Sequence, residues 1–289
     1  MCPALPAKSR RRDAIFTLPA LLIILFWLSA MFWLVRSEAF PGWFVRGERF
    51  SYRDVFRDGL MVMDSWMRIS IQGEPAGYTH TWLDSDPAAA GRQVFSLRNQ
   101  TALSLRMPDR PRVIRADANA TLDDSGHLLD FSAAFFLDDL RTIVEGKAVA
   151  DGRFNVVIRT GDSVREMELT LPDDVLVHLP MTGLPLGRLS PGRSVALRVL
   201  NPLTMTVEEM RASVIRRETL HLAGQDYPAT LLEMSFQGME MRAWVDAEGR
   251  VLRQETPFGL AMEVCAPSEA TLPANAPALT GAVPLPLPN

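Results

Sequence analysis

The stretch "VFSLRNQTALSLR", Val94 to Arg106, alternates with a period of two. Phe95, Leu97, Asn99, Thr101, Leu103 and Leu105 occupy one phase, and Ser96, Arg98, Gln100, Ser104 and Arg106 the other. Successive side chains of an extended chain point to opposite faces, so the segment has one buried face and one wet face. The same alternation returns at Ile114, Ala116, Ala118, Ala120 and Leu122, at Thr230, Leu232, Met234 and Phe236, and at Met239, Met241, Ala243 and Val245. Between such runs stand "GEPAG" (Gly73 to Gly77), "DDSG" (Asp123 to Gly126), "ADG" (Ala150 to Gly152), "AGQD" (Ala223 to Asp226) and "AEG" (Ala247 to Gly249). They supply Gly and Asp at hairpin distance, where tight turns need unusual backbone angles. These signals predict a mainly β chain of roughly a dozen strands in one large, curved antiparallel meander with one face exposed.

Upstream of the sheet, Ala14 to Val35 is a run of 22 residues without a charge. As a helix it would span about 33 Å, matching the roughly 30 Å hydrocarbon core of a bilayer. Secretory signals have shorter apolar regions, and here Phe32, Trp33, Leu34 and Val35 continue past the small residue Ala30. The expected reading is an anchor that stays; removal near Ser37-Glu38-Ala39 is the alternative. Lys8, Arg10, Arg11 and Arg12 precede the run, which places the N-terminus inside. The expected location is the inner membrane of a bacterium, crossed once, with the main domain in the periplasm or outside the cell.

Removing positions 1–13 leaves 26 basic and 33 acidic residues, a net charge of −7, which disfavours a nucleic-acid partner. Cys265 is the one cysteine beyond the apolar run, so the fold rests on a packed core rather than a disulfide. His80, His127, His178 and His221 stand far apart, without metal-ligand spacing, and no nucleophile elbow, phosphate loop or dinucleotide turn occurs. Acidic pairs such as Asp123-Asp124 and Asp138-Asp139 fall at predicted turns, where solvated turn residues are the ordinary reading. The expectation is a non-catalytic protein without cofactor or metal.

Two helical pieces are expected beside the strands. Ser51 to Gly59 has a serine cap, an acid three positions on and a closing glycine. Asp174 to Leu189 carries leucines interrupted by Pro180 and Pro185, which predicts a broken helix or an apolar loop across one end of the sheet. The Pro/Ala-rich stretch from Ala266 onward reads as disordered or polyproline-like. The organisation is thus a basic N-terminus (1–13), an anchor (14–35), a juxtamembrane segment with a short helix (36–58), a β domain (59–265) and a tail (266–289).

"SWMRISIQGEPAGYTH" (Ser65 to His80), "LGRLSPGRSVALRVLNPLTM" (Leu186 to Met205) and "MRAWVDAEGRVLRQETPFGLAMEV" (Met241 to Val264) follow one another in order. Together they resemble the non-catalytic β-rich region that precedes the catalytic domain of exported bacterial transglutaminase-like proteins, and related stand-alone, membrane-anchored proteins. Those enzymes use Cys, then His, then Asp, and here neither His nor Asp follows Cys265. The resemblance implies an accessory module. Its expected partners are the bilayer, through residues 14–35, and an envelope protein such as a transporter or transglutaminase-like protein. The alternative is a carrier or sensor of a lipid or other amphiphile, with Phe131, Phe135, Met234, Met239, Met241 and Met262 as the candidate apolar ligand face, since Met and Phe line adaptable pockets. An enzyme without a recognisable motif is the third reading.

Overall fold

The computed structural model of the chain describes residues 48–49, 63–87, 93–150, 152–177, 189–202, 204–236, 238–274 and 276–277. The expected anchor at 14–35, the expected helix Ser51–Gly59 and His178 lie outside the described residues. Among the described residues no helix is long and apolar enough to cross a membrane.

Strands β1 (Glu48–Arg49), β2 (Met63–Ile71), β3 (Glu74–Pro87), β4 (Gln93–Arg106), β5 (Pro111–Asp123), β6 (Leu128–Leu137), β7 (Leu140–Ala150), β8 (Arg153–Thr160) and β9 (Ser163–Thr170) come first. After them come β10 (Val175–Leu176), β11 (Ser194–Asn201), β12 (Thr206–Leu222), β13 (Gln225–Phe236), β14 (Met239–Val245), β15 (Val251–Glu255) and β16 (Leu260–Val264). β2 to β9 form one antiparallel meander and β11 to β16 another. The two become a single sheet because β16 pairs with β2, Val264 opposite Met67 and Leu260 opposite Ile71. β1 and β10 both run parallel to β11. β9 ends the order, paired to β8 alone among the described strands, and Arg165, Glu166 and Glu168 guard its open edge with charge.

The alternation that predicts the strands sets the faces of the first part of β4, but beyond Thr101 the buried phase passes to Ala102 and Ser104, leaving Leu103 and Leu105, expected on the buried face, only half-buried. Phe95 and Leu97 of β4 are buried, and Leu97 lies opposite Leu83 on one side and Ala120 on the other. One core cluster unites Met67, Leu83, Phe95, Leu97 and Leu122 from β2–β5 with Val195, Leu197, Met210, Leu232, Met234 and Val245 from β11–β14. The sheet is therefore rolled, with its two halves facing each other. A second cluster packs Phe131, Val144, Phe154 and Val156 of β6–β8 against Leu171, Val175, Val177, Leu200 and Met205, so the chain leaving β9 fills the space between those strands and the end of β11. Gly146 makes room there, because a Cβ at that position would stand 2.2 Å from Cε1 of Phe131. A β-bulge between Val214 and Arg216 exchanges the two faces of β12. Beyond it Leu220 and Leu222 meet Ala229, Leu252, Tyr227 and Trp244 in a third cluster on the other side of the sheet.

Three expectations need correction. Within the expected broken helix or loop Asp174–Leu189, Val175–Leu176 is a short strand, drawn into the sheet by burial of both side chains and by the Arg198–Asp174 ion pair at 3.0 Å, and 178–188 lie outside the described residues. "GEPAG" is mostly strand: the turn is Gln72–Gly73, with φ of 51° and 83°, and β3 begins at Glu74. The first part of the tail is ordered, since Pro267–Glu269 forms a 3-10 turn in which the Glu269 carboxylate accepts from the Ala266 N–H, and Ala270 is buried.

Candidate functional site

Two rungs cross the inner face of β3–β6. In one, Thr79, Thr101, Ala116 and Phe135 stand side by side; in the other, Thr81, Asn99, Ala118 and Ala133 do. The next rung is filled by Leu83, Leu97, Ala120 and Phe131. Where Thr and Asn stand in place of the leucines of β3 and β4, and Ala133 in place of Phe131, the facing halves of the sheet do not meet. They leave an open cavity of about 300 Å³. Asn99, Thr101, Ala116, Ala118, Ala133 and Phe135 form one wall; Val177, Val199, Leu200, Pro202 and Phe236 form the other. The volume lies at the lower end of the range for small-molecule sites and equals roughly ten waters at about 30 Å³ each.

The lining is polar at Asn99 and Thr101 and also at Asp117, Asn119, Ser132 and Asn201. On the inner face of β4 the polar groups form a hydrogen-bonded corner. Asn99 Nδ2 donates to Thr79 Oγ1 and Thr81 Oγ1, both at 2.8 Å. Thr101 Oγ1 lies 2.9 Å from Thr79 Oγ1 and 3.0 Å from Asn99 Oδ1, and its single proton serves one of the two at a time. Thr79, Thr81 and Asn99 are all buried. Asp117 also borders the cavity, but it belongs to the opposite phase of β5. Its carboxylate, 2% exposed, accepts from Arg115 Nε at Oδ1 (3.1 Å), while Nη2 stands 2.7 Å from Oδ2 as a close ion pair in which Oδ2 accepts no hydrogen bond. The lining contains no cationic side chain.

Of the six residues of the expected ligand face, Phe135 lines the cavity. Phe131 and Met234 do not: at 2% and 0% exposure they are core filling, in separate clusters. Met241 and Met262 pack, half-buried, against the first cluster, and Met239 lies opposite Phe236 at the end of the β13–β14 hairpin. The residues missed were Asn99, Thr101, Ala116, Ala118 and Ala133. Their signal was present as polar and small residues in the buried phase of their strands.

The remaining reactive side chains are engaged elsewhere. His80 is stacked between Trp66 and Trp82, at centroid distances of 3.7 and 4.4 Å, and its Nε2 lies 2.7 Å from Asp64 Oδ1. His127 and His221 sit beside Asp123 and Asp226 at hairpin ends. No three metal-ligating side chains gather among the described residues. Burial, with a smaller contribution from Glu269, pushes the Cys265 thiol up, opposite to what activates a nucleophile. A polar cleft of about 800 Å³ lies over β15, β16 and β2, but Glu263 bridges Arg68 at 2.6 Å and Arg253 at 3.0 Å, so its central charges are paired.

No family model matches the chain, and no curated protein matches it. Among solved structures, a beta-barrel-like protein of the domain of unknown function DUF1849 from Brucella abortus is 10% identical, with 71% of this chain and 96% of that one covered at a TM-score of 0.45. A DUF1089 family protein from Pseudomonas aeruginosa is 14% identical, with 67% and 91% covered at a TM-score of 0.26. A DUF3598 family protein from Nostoc punctiforme is 9% identical, with 74% and 99% covered at a TM-score of 0.13.

Proposed function

We propose that the chain is a membrane-tethered, extracytoplasmic β protein that holds a single-chain amphiphile in the cavity between the halves of its rolled sheet, as a carrier or sensor and not as an enzyme. The observation that carries this is the cavity itself: concave, walled mainly by Ala, Val, Leu, Pro and Phe, with Asn99 and Thr101 as a hydrogen-bonding corner and Asn119, Ser132 and Asn201 at its margin. Apolar walls with a few convergent polar groups are the usual make-up of a small-molecule site. The tether rests on the uncharged run Ala14–Val35. It confines the carrier to the surface where amphiphiles reside and raises its effective concentration there, to the millimolar range for a short link.

A second reading, docking of an envelope protein such as a transporter or transglutaminase-like protein, is favoured by the exposed strand β9, which pairs with β8 alone among the described strands and to whose other edge a strand of a partner can add. The test of the first reading is photolabelling of the full chain in nanodiscs with a decanol carrying a terminal diazirine, followed by peptide mapping. Label on the walls around Ala116–Phe135 and Val199–Phe236 is expected. Label confined to the outer face or to residues 14–35 would overturn the reading.

A further inference from the structure

The chemistry of the polar corner narrows the ligand. We infer that the cavity takes an amphiphile with a neutral hydroxyl head and discriminates against carboxylates and other anions; the inference rests on the cavity being a ligand site. Asn99 Oδ1 is an acceptor whose donor, the Thr101 hydroxyl, has Thr79 Oγ1 as a second acceptor at 2.9 Å. When Thr101 turns to a ligand, Asn99 Oδ1 is left open, so the pair offers one donor and one acceptor side by side. An alcohol satisfies both: it accepts from Thr101 Oγ1–H and donates to Asn99 Oδ1. A carboxylate only accepts. It would place its second oxygen against Asn99 Oδ1, with no cationic side chain in the lining to offset the loss of water.

The charge nearest the cavity adds to this. Asp117 is ion-paired with Arg115, whose Nε donates to Oδ1 and whose Nη2 stands 2.7 Å from Oδ2. Bringing a second anion to the other side of the same strand therefore adds repulsion without a free counter-charge. The apolar walls set the remainder. A space of about 300 Å³ admits a chain of about ten methylene-sized groups.

The test is competition for the photolabel on full chain in nanodiscs, with unlabelled decanol and decanoate at equal bilayer mole fraction and a pH of about 8, where the acid is ionised. Decanol is expected to displace the cavity label at least about tenfold better than decanoate. Thr101→Val, which keeps the shape, and Asn99→Leu should each bring that ratio towards one; Thr101→Val serves if Asn99→Leu does not fold. Cavity labelling that decanoate displaces as well as decanol, or better, overturns the inference and leaves amphiphile binding standing. An absence of cavity labelling removes both.

Discussion

Replacing Asn99 tests whether the polar corner is a closed network. Asn99→Leu removes two donated bonds of 2.8 Å and one accepted bond of 3.0 Å. Each is worth about 1 kcal/mol net, and a hydroxyl stranded away from water, such as that of Thr81, costs a further 1–3 kcal/mol or so. Burial of the new leucine offsets about 1–2 kcal/mol. The expected loss is about 2–5 kcal/mol, a fall in Tm of roughly 4–20 °C for a domain of this size. Adding Thr79→Val, Thr81→Val and Thr101→Val removes the stranded groups as well, and an apolar cluster of the same shape should return to within about 1 kcal/mol of the original. Thermal and urea unfolding of the full chain, followed by circular dichroism in the strand band, reads all three proteins. If the fourfold variant is as unstable as Asn99→Leu, or worse, the accounting of hydrogen bonds at this corner is wrong.

Gly146→Ala should cost about 1–3 kcal/mol by driving a methyl into the Phe131 ring, and Phe131→Leu in the same chain should recover part of it in the same unfolding assay. Glu218 is held below the usual carboxylate range by the Trp244 Nε1–H at 2.6 Å and by Arg216 at 2.7 Å. A depressed pKa stabilises the fold above the unfolded value of about 4.3 and ceases to as pH falls through the folded value, so Glu218→Gln should lose less stability than the parent on acidification below pH 4 or so. In a Cys2→Ser background Cys265 should alkylate more slowly than a free thiol at about pH 8 and accelerate at higher pH; a faster rate would contradict its apolar setting. A reporter active only outside the cytoplasm, fused after Asn289, should be active while the chain keeps its N-terminus, and Phe40 as the first residue of the mature protein would end the tether.

Much of the sheet was legible because burial and alternation are one property: Leu97 and Leu232 are buried in the phases their strands imply. Connections through adjacent hairpins were legible too, since Ala223 and Gly224, with φ of 47° and 80°, turn where "AGQD" predicts. The pairing of β16 with β2 was not, because Glu263 and Arg68 meet across 195 positions and no local signal links them. The bulge that turns Leu220 to the opposite face was hidden as well: Met210, Ala212, Val214, Leu220 and Leu222 keep one phase in the sequence, so the alternation gives no sign that the faces exchange between Val214 and Arg216. The cavity lay between these cases. Asn99 and Thr101 stand in the buried phase of β4, and Ala116 and Ala118 in the inner phase of β5. Small and polar residues at such positions mark a place where a core is not filled. What they face depends on the order of strands that are distant in the chain, and only the rolled sheet brings Val199 and Leu200 opposite them.

Filling the cavity tests amphiphile binding most directly. Ala118→Leu extends a side chain from the inner face of β5 into the empty space, on the opposite phase from Asp117 and beside Asn99, whose donated bonds run to Thr79 and Thr81 on the far strand β3. With room available the substitution should leave the unfolding transition unchanged or raise it by up to about 1 kcal/mol. Wall labelling by the diazirine decanol should fall at the same time, by about tenfold or more, since a ligand and a leucine cannot share one space of about 300 Å³. A stably folded Ala118→Leu chain that takes up label on the same wall peptides as the parent would show that the amphiphile does not reside there.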